Sequence, residues 1–198
     1  MAEHPLPNSN QRTAPLRVGL IGVTGYALAY YEELNKLLEQ GLVEWGAVTI
    51  INEQDAPDQV AFFKSAGVPI YDDYAQMLEH EAENLDWLCV PTAIEWHARM
   101  TIDALRVGLP VLLEKPIAPT LQDVAAIQAE EQKSGKLVAI GFQHNYGKNT
   151  WEIKRRLLAG DIGQIQRIES MCLWPRPRAY YARNHWSGRI FVGDSWVL

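Results

Sequence analysis

Cysteine is scarce in this sequence. Only Cys89 and Cys172 occur among 198 residues, each inside an apolar run, DWLCV and SMCLW. Two isolated thiols supply neither a disulfide scaffold nor a metal framework, so no metal site is expected. Both read as buried structural residues, and a reducing cytoplasm is the simplest compartment. No run approaches the ~18 apolar residues that a membrane span needs. The opening MAEHPLPNSNQRTAPL has no apolar core and no twin arginine, so 1–15 reads as a mobile lead-in rather than an export signal. Positive charge is in short supply too. The net charge is −6, which argues against nucleic acid as a partner. The one basic cluster, Arg176, Arg178, Arg183 and Arg189, is interleaved with Tyr180, Tyr181 and Trp186. That pattern is open to three readings: a base-stacking surface, a site for an anionic or sugar-like small molecule, and a solvated loop.

The balance that remains is globular. Hydrophobic residues make up 47% and charged residues 21%, enough apolar surface for a full core. From Leu16 onward short apolar runs alternate with helical periods. Strands are expected at LRVGLIG, VEWGAVTII, VPIY, DWLCV, VLLEK and LVAIGF. Between them lie helices. The first carries Tyr30, Leu34, Leu37 and Leu38 and stops at Gly41; the second is APDQVAFFKSAG; the third is DYAQMLEHEAENL. A fourth, opened by Thr92 and Glu95 as a capping box, runs through Met100 and Leu105 to Gly108. The last, opened by Thr120 and Asp123, turns Leu121, Val124 and Ile127 inward and ends at Gly135. Strand–helix alternation requires right-handed crossovers and a parallel sheet covered on both faces. The fold class is therefore α/β over 16–142. Beyond Phe142 the rhythm changes. A helix at NTWEIKRRLLAG and a strand at QIQRIESMCLW are expected, then a loop rich in Arg, Tyr and Pro, so 143–198 reads as a second region.

Three segments carry chemistry. In GLIGVTGYA the first strand runs into a turn that fits G-x-G-x-x-G/A with Gly22 first, Thr24 second and Ala27 third. Small residues there let backbone amides reach a pyrophosphate at a helix N-terminus. Gly22, Val23, Thr24, Gly25, Tyr26 and Ala27 are thus the candidate phosphate turn, with Thr24 a departure from glycine. Where the fingerprint wants an acid for ribose, the second strand ends in IINEQD. Asn52 and Glu53 are the candidates, and no arginine stands close to hold a 2′-phosphate, so NAD is preferred to NADP. In GLPVLLEKPIAPT a buried strand delivers Glu114, Lys115 and Pro116 at its carboxyl end, where open α/β sheets bind ligands.

The glycine turn, a Pro-Thr strand end with His97 nearby, and EKP after ALRVGLPV, in this order, resemble the Gfo/Idh/MocA family of oxidoreductases over about 16–198. The resemblance implies a Rossmann domain (16–142) followed by an α+β substrate and dimerisation domain with an open sheet, of which 143–198 is the beginning. It implies NAD(P)-linked hydride transfer at a hydroxyl or carbonyl carbon of a sugar, cyclitol or similar polyol, and self-association through the second sheet. By the same resemblance Lys115 is the catalytic residue, as general acid/base or as ligand of the substrate hydroxyl, His97 a second catalytic and cofactor-facing residue, Glu114 the cofactor-facing neighbour of the lysine, and Pro91, Thr92 and Gln143 further cofactor contacts. Asn145 stands where the family commonly has arginine in GF-x-x-R-F. The family also carries an Asp and a His on a later helix after a glycine-rich turn. VGDSWVL approaches that turn, Asp194 does not match the aspartate, and the sequence stops, so weak turnover by these 198 residues is expected. The competing readings are a non-catalytic dinucleotide-binding sensor or partner subunit, and an unrelated nucleotide-binding α/β protein.

Overall fold

The computed structural model describes residues 14–183, 186–192 and 195–196. Asp194 and most of the expected lead-in lie outside the described residues. Two units divide the chain, Met1–Ile140 and Gly141–Leu198.

In the first unit, apolar alternation builds six strands: β1 (Leu16–Ile21), β2 (Val43–Thr49), β3 (Ile70–Tyr71), β4 (Trp87–Val90), β5 (Val111–Leu113) and β6 (Val138–Ile140). They form one sheet in the order β3-β2-β1-β4-β5-β6, and every pairing is parallel. That order reverses direction at β1 and β4, which is the doubly wound Rossmann arrangement, and the reversal opens a crevice at the strands' carboxyl ends. Five helices cover the sheet: α1 (Ala27–Glu39), α2 (Pro57–Ser65), α3 (Tyr74–Glu81), α4 (Ile94–Arg106) and α5 (Leu121–Ser134).

Side chains alternate between two faces, as strand geometry demands. Val18 and Leu20 of β1, Val43, Trp45 and Val48 of β2 and Cys89 of β4 pack with Leu34 of α1 and Phe63 of α2. Ile21, Leu88, Val90, Val111 and Leu113 pack on the other face with Met77 of α3, Met100 and Ala104 of α4 and Ile127 of α5. Tyr31, Trp45, Phe62 and Phe63 interlock edge-to-face and stacked, fixing α1 and α2 on β2. Among the described residues no helix is long and apolar enough to cross a membrane.

Three local expectations need correction here. Thr92 does not cap α4: the N-cap is Ala93, and the Thr92 hydroxyl turns to Met100 Sδ at 3.5 Å. The fourth helix thus starts one residue late, because the Thr92 carbonyl is held by a ring nitrogen of His97. Leu121 is 83% exposed, since the first residue of α5 points past the sheet, while Ile127 one to two turns on is buried. Thr120 does cap α5, accepting from the Asp123 N–H at 3.1 Å. Of the thiols only Cys89 is buried, and burial pushes it up to about 12; Cys172 is exposed.

In the second unit α6 (Lys148–Ala159) follows a short 3-10 turn, Gln143–Tyr146. After it come α7 (Arg178–Ala182) and the antiparallel pair β7 (Phe191–Val192) and β8 (Ser195–Trp196). The strand expected at QIQRIESMCLW is not formed: no described strand pairs with it, and Ile168, Met171 and Leu173 are exposed.

Candidate active site

The turn from β1 into α1 begins with the Gly22 N–H donating to the Thr49 carbonyl at 2.8 Å. This ties the turn to the end of the neighbouring strand. Gly22 then takes φ +86° and Gly25 φ +59°, both in the left-handed region that side chains rarely adopt. At Gly22 a Cβ would find ordinary room, 3.7 Å from the Ala27 Cβ, so the demand for glycine is conformational. Over Gly25 nothing lies within 4 Å of a Cβ position. No side chain caps α1. The Ala27 and Ala29 N–H groups donate to the Thr24 and Tyr26 carbonyls at 3.1 and 3.0 Å, so what the helix turns to open space is the positive end of its dipole, which suits an anion.

Beside this turn an open cleft of about 210 Å³ is lined by Val23, Thr24, Ile50, Ile51, Asn52 and Asp55. Asn52 lies where the sequence put it. Glu53 does not line the cleft; its carboxylate pairs with Lys64 at 2.7 Å. Asp55 supplies the acidic group there instead. It sits at the end of a 3-10 turn, Glu53–Asp55, that carries the chain around the cleft after β2. The residues fit a dinucleotide: a cradle that a side chain would distort, the positive end of an uncapped helix, and a carboxylate for a ribose.

At the other side of β1, the ends of β4 and β5 form a tightly bonded cluster. The Glu114 N–H donates to the Val90 carbonyl at 3.2 Å and prolongs the sheet by one residue. Glu114 is 6% exposed, and both carboxylate oxygens are engaged. One accepts from the Tyr30 hydroxyl at 3.0 Å and the other from the Lys115 N–H at 2.8 Å. Burial, and then the Glu114 charge, pushes the Tyr30 phenol well above the ordinary tyrosine range. Lys115 is exposed, its Nζ 5.8 Å from the centre of the Tyr26 ring, and the Lys115–Pro116 peptide is cis. The lysine head thus stands beside Tyr26, at the end of the glycine turn.

His97 is 1% exposed. Its Nδ1 lies 2.8 Å from the Pro116 carbonyl and its Nε2 3.0 Å from the Thr92 carbonyl. Both partners are acceptors: a neutral ring donates to one, a doubly protonated ring to both. The ring bridges the loops after β4 and β5 and directs neither nitrogen to the surface. Pro91 is buried and Thr92 partly so, at the mouth of the crevice.

The fold brings Gly22–Ala27, Asn52, Pro91, Thr92, His97, Glu114 and Lys115 to the carboxyl edge of one sheet. Gln143 belongs to the second unit. Asp55, which lines the cleft, and Tyr30, which bonds Glu114, were not among the site candidates read from the sequence. Asp55 stands just beyond the expected acid position. Tyr30 is four residues after Tyr26, the spacing that stacks two side chains on one helix face.

A family model described as "Oxidoreductase family, NAD-binding Rossmann fold" (GFO_IDH_MocA) matches residues 16–142. "Inositol 2-dehydrogenase 2" of Saccharopolyspora erythraea is 29% identical over 153 residues, 76% of this chain and 44% of that protein. The chain spans less than half the length of the curated relatives it matches. The crystal structure of myo-inositol 2-dehydrogenase from Lactobacillus plantarum matches with a TM-score of 0.64 at 28% identity, covering 76% of this chain and 43% of that one. The WlbA dehydrogenase of Chromobacterium violaceum, crystallised with NADH and UDP-GlcNAcA, gives a TM-score of 0.75. At 22% identity, covering 88% of this chain and 48% of that one, it shares the fold.

Proposed function

Because the chain belongs to the Gfo/Idh/MocA oxidoreductase family and carries its NAD-binding Rossmann fold, we propose that it serves the NAD-linked oxidation of a secondary alcohol on a sugar, cyclitol or similar polyol, and the reverse reduction. The observation that carries this reading is the stance of Lys115, an exposed amine at the carboxyl end of β5 with its head over Tyr26 of the cofactor turn. The inositol dehydrogenase relatives support the substrate class.

The bound cofactor would accept hydride from the carbinol carbon at its nicotinamide. Lys115 takes the hydroxyl proton in oxidation and returns it in reduction. Glu114 touches neither reactant. It fixes the lysine backbone, and its burial keeps water from that side of the loop. The turn from Gly22 to Ala27 holds the pyrophosphate on its amides. Asn52 and Asp55 hold the adenosine ribose, and a carboxylate there repels a 2′-phosphate, which favours NAD over NADP. No cation lines the cleft among the described residues, and Lys64 is engaged by Glu53.

Calorimetric titration of NADH and NADPH, followed by turnover assays on inositols, glucosides and sugar acids, tests the reading. NADH should bind with preference over NADPH, and at least one polyol should be oxidised. Binding of neither dinucleotide would refute it, and a preference for NADPH would refute the assignment of Asp55.

A further inference from the structure

A dinucleotide fold needs a helix after its glycine turn, but not a phenol one turn along it. Tyr30 occupies that place on α1, and its hydroxyl reaches 84 residues ahead in sequence to Glu114. Glu114 is a buried carboxylate, and a buried charge is tolerated only where its oxygens are bonded. Tyr30 supplies one of its two bonds and the Lys115 main-chain N–H the other. One turn back on the same helix, Tyr26 lies edge-on to Tyr30, ring centres 6.3 Å apart. The face of Tyr26 is 5.8 Å from the Lys115 ammonium, within cation–π range. The four residues close a ring: Tyr30 to Glu114, Glu114 to the Lys115 backbone, the Lys115 head to Tyr26, and Tyr26 back to Tyr30.

We propose that Tyr30 and Tyr26 are positioning residues for Lys115, so that the first turn of the cofactor-binding helix sets where the lysine stands. The inference rests on the reading of Lys115 as the proton-transfer residue. Tyr30 acts through the Glu114 carboxylate on the lysine main chain, and Tyr26 acts on the amine. Since α1 also turns the positive end of its dipole to the pyrophosphate, the dinucleotide and the lysine share one rigid support. Burial holds the Tyr30 phenol protonated, so it remains a donor throughout the neutral range. Tyr31 is the internal control. It is the next residue on the helix, but its ring faces Trp45 and Phe63 in the core.

The test is the rate at which an acylating reagent modifies Lys115, mapped by peptide mass spectrometry in the ligand-free protein and normalised to Lys154. Tyr30→Phe keeps the ring and removes the donor. It should change the Lys115 rate by at least ~3-fold, with Tyr31→Phe like the parent. Glu114→Gln should change it in the same direction, and adding Tyr30→Phe to Glu114→Gln should have little further effect, as two members of one bonded unit behave. In turnover Tyr30→Phe should lower kcat by ~10-fold and leave the KM for NAD within ~2-fold. An unchanged Lys115 rate in Tyr30→Phe, an equal change in Tyr31→Phe, or fully additive effects with Glu114→Gln would overturn the proposal. The labelling needs no cofactor, so it reads the same if dinucleotide binding fails, an outcome that would strike the functional reading instead.

Discussion

At the β1–β2 end of the crevice the chain leaves groups open: an uncapped helix start, empty space over Gly25, and Asn52 and Asp55 around an open cleft. At the β4–β5 end it closes nearly everything from within. His97 lies against two carbonyls, Glu114 receives two donors, and the head of Lys115 is left outward. On the proposed function the contrast separates binding from chemistry. An anion complements the positive end of an uncapped helix, so a binding end can stand unfinished. A proton-transferring amine must stand within a fraction of an ångström of its place, which requires a supporting shell already bonded before any ligand arrives.

The largest effect should come from the one open group of the closed end. Lys115→Ala should reduce turnover by about 10²- to 10⁴-fold, the range of a lost general acid–base group, and leave NADH affinity within ~3-fold. Steady-state kinetics beside calorimetry checks this; a variant that loses binding and turnover in equal measure would move Lys115 to the binding end. Next in size, His97→Ala should destabilise the first unit by ~3 kcal/mol in denaturant unfolding, since it removes a buried ring and its bonds to the Thr92 and Pro116 carbonyls. A loss under ~1 kcal/mol would mean that the bridge is not structural.

The open end should respond in affinity rather than in turnover. Gly22 and Gly160 have similar left-handed φ values, +86° and +78°, so valine strains both comparably. Only Gly22→Val should weaken NADH, by ~10-fold or more. Equal weakening by Gly160→Val would reduce the effect to general strain. The smallest pair sharpens the ribose assignment. Asp55→Asn should narrow the preference for NADH over NADPH by several-fold. Glu53→Gln, which breaks an exposed ion pair with Lys64, should leave that preference alone and cost at most ~1 kcal/mol of stability. The reverse pattern would restore Glu53 to the site.

The sheet was legible because its signals are local and periodic. Glycines mark the ends of helices, as Gly41 and Gly135 do with φ +69° and +67°, and the order of apolar runs dictates a parallel sheet. The open end was legible for the same reason, since a glycine turn after a buried strand is written in consecutive residues. The acid that lines the cleft lies two residues beyond Glu53, because the 3-10 turn at Glu53–Asp55 leaves Glu53 paired with Lys64 and carries Asp55 to the cleft. The closed end was legible only as residue types. That His97 would bridge Thr92 and Pro116, and that Tyr30 would meet Glu114, depends on contacts across 19 and 84 residues that no spacing rule contains. The segment QIQRIESMCLW shows the opposite failure: alternation gives strand character, but a strand exists only through its neighbour, and none of the described strands pairs with it.

Hydrogen exchange across the chain with and without saturating NADH tests the central claim most directly. Binding in the crevice should slow exchange at 22–28, around 52–55, and in the loops at 91–93 and 114–117. The amides on the far edge of the sheet, at the amino ends of β4 and β5, should be unchanged. Protection confined to the amino-terminal edge, or none at 22–28 in protein that calorimetry shows to be saturated, would contradict the account.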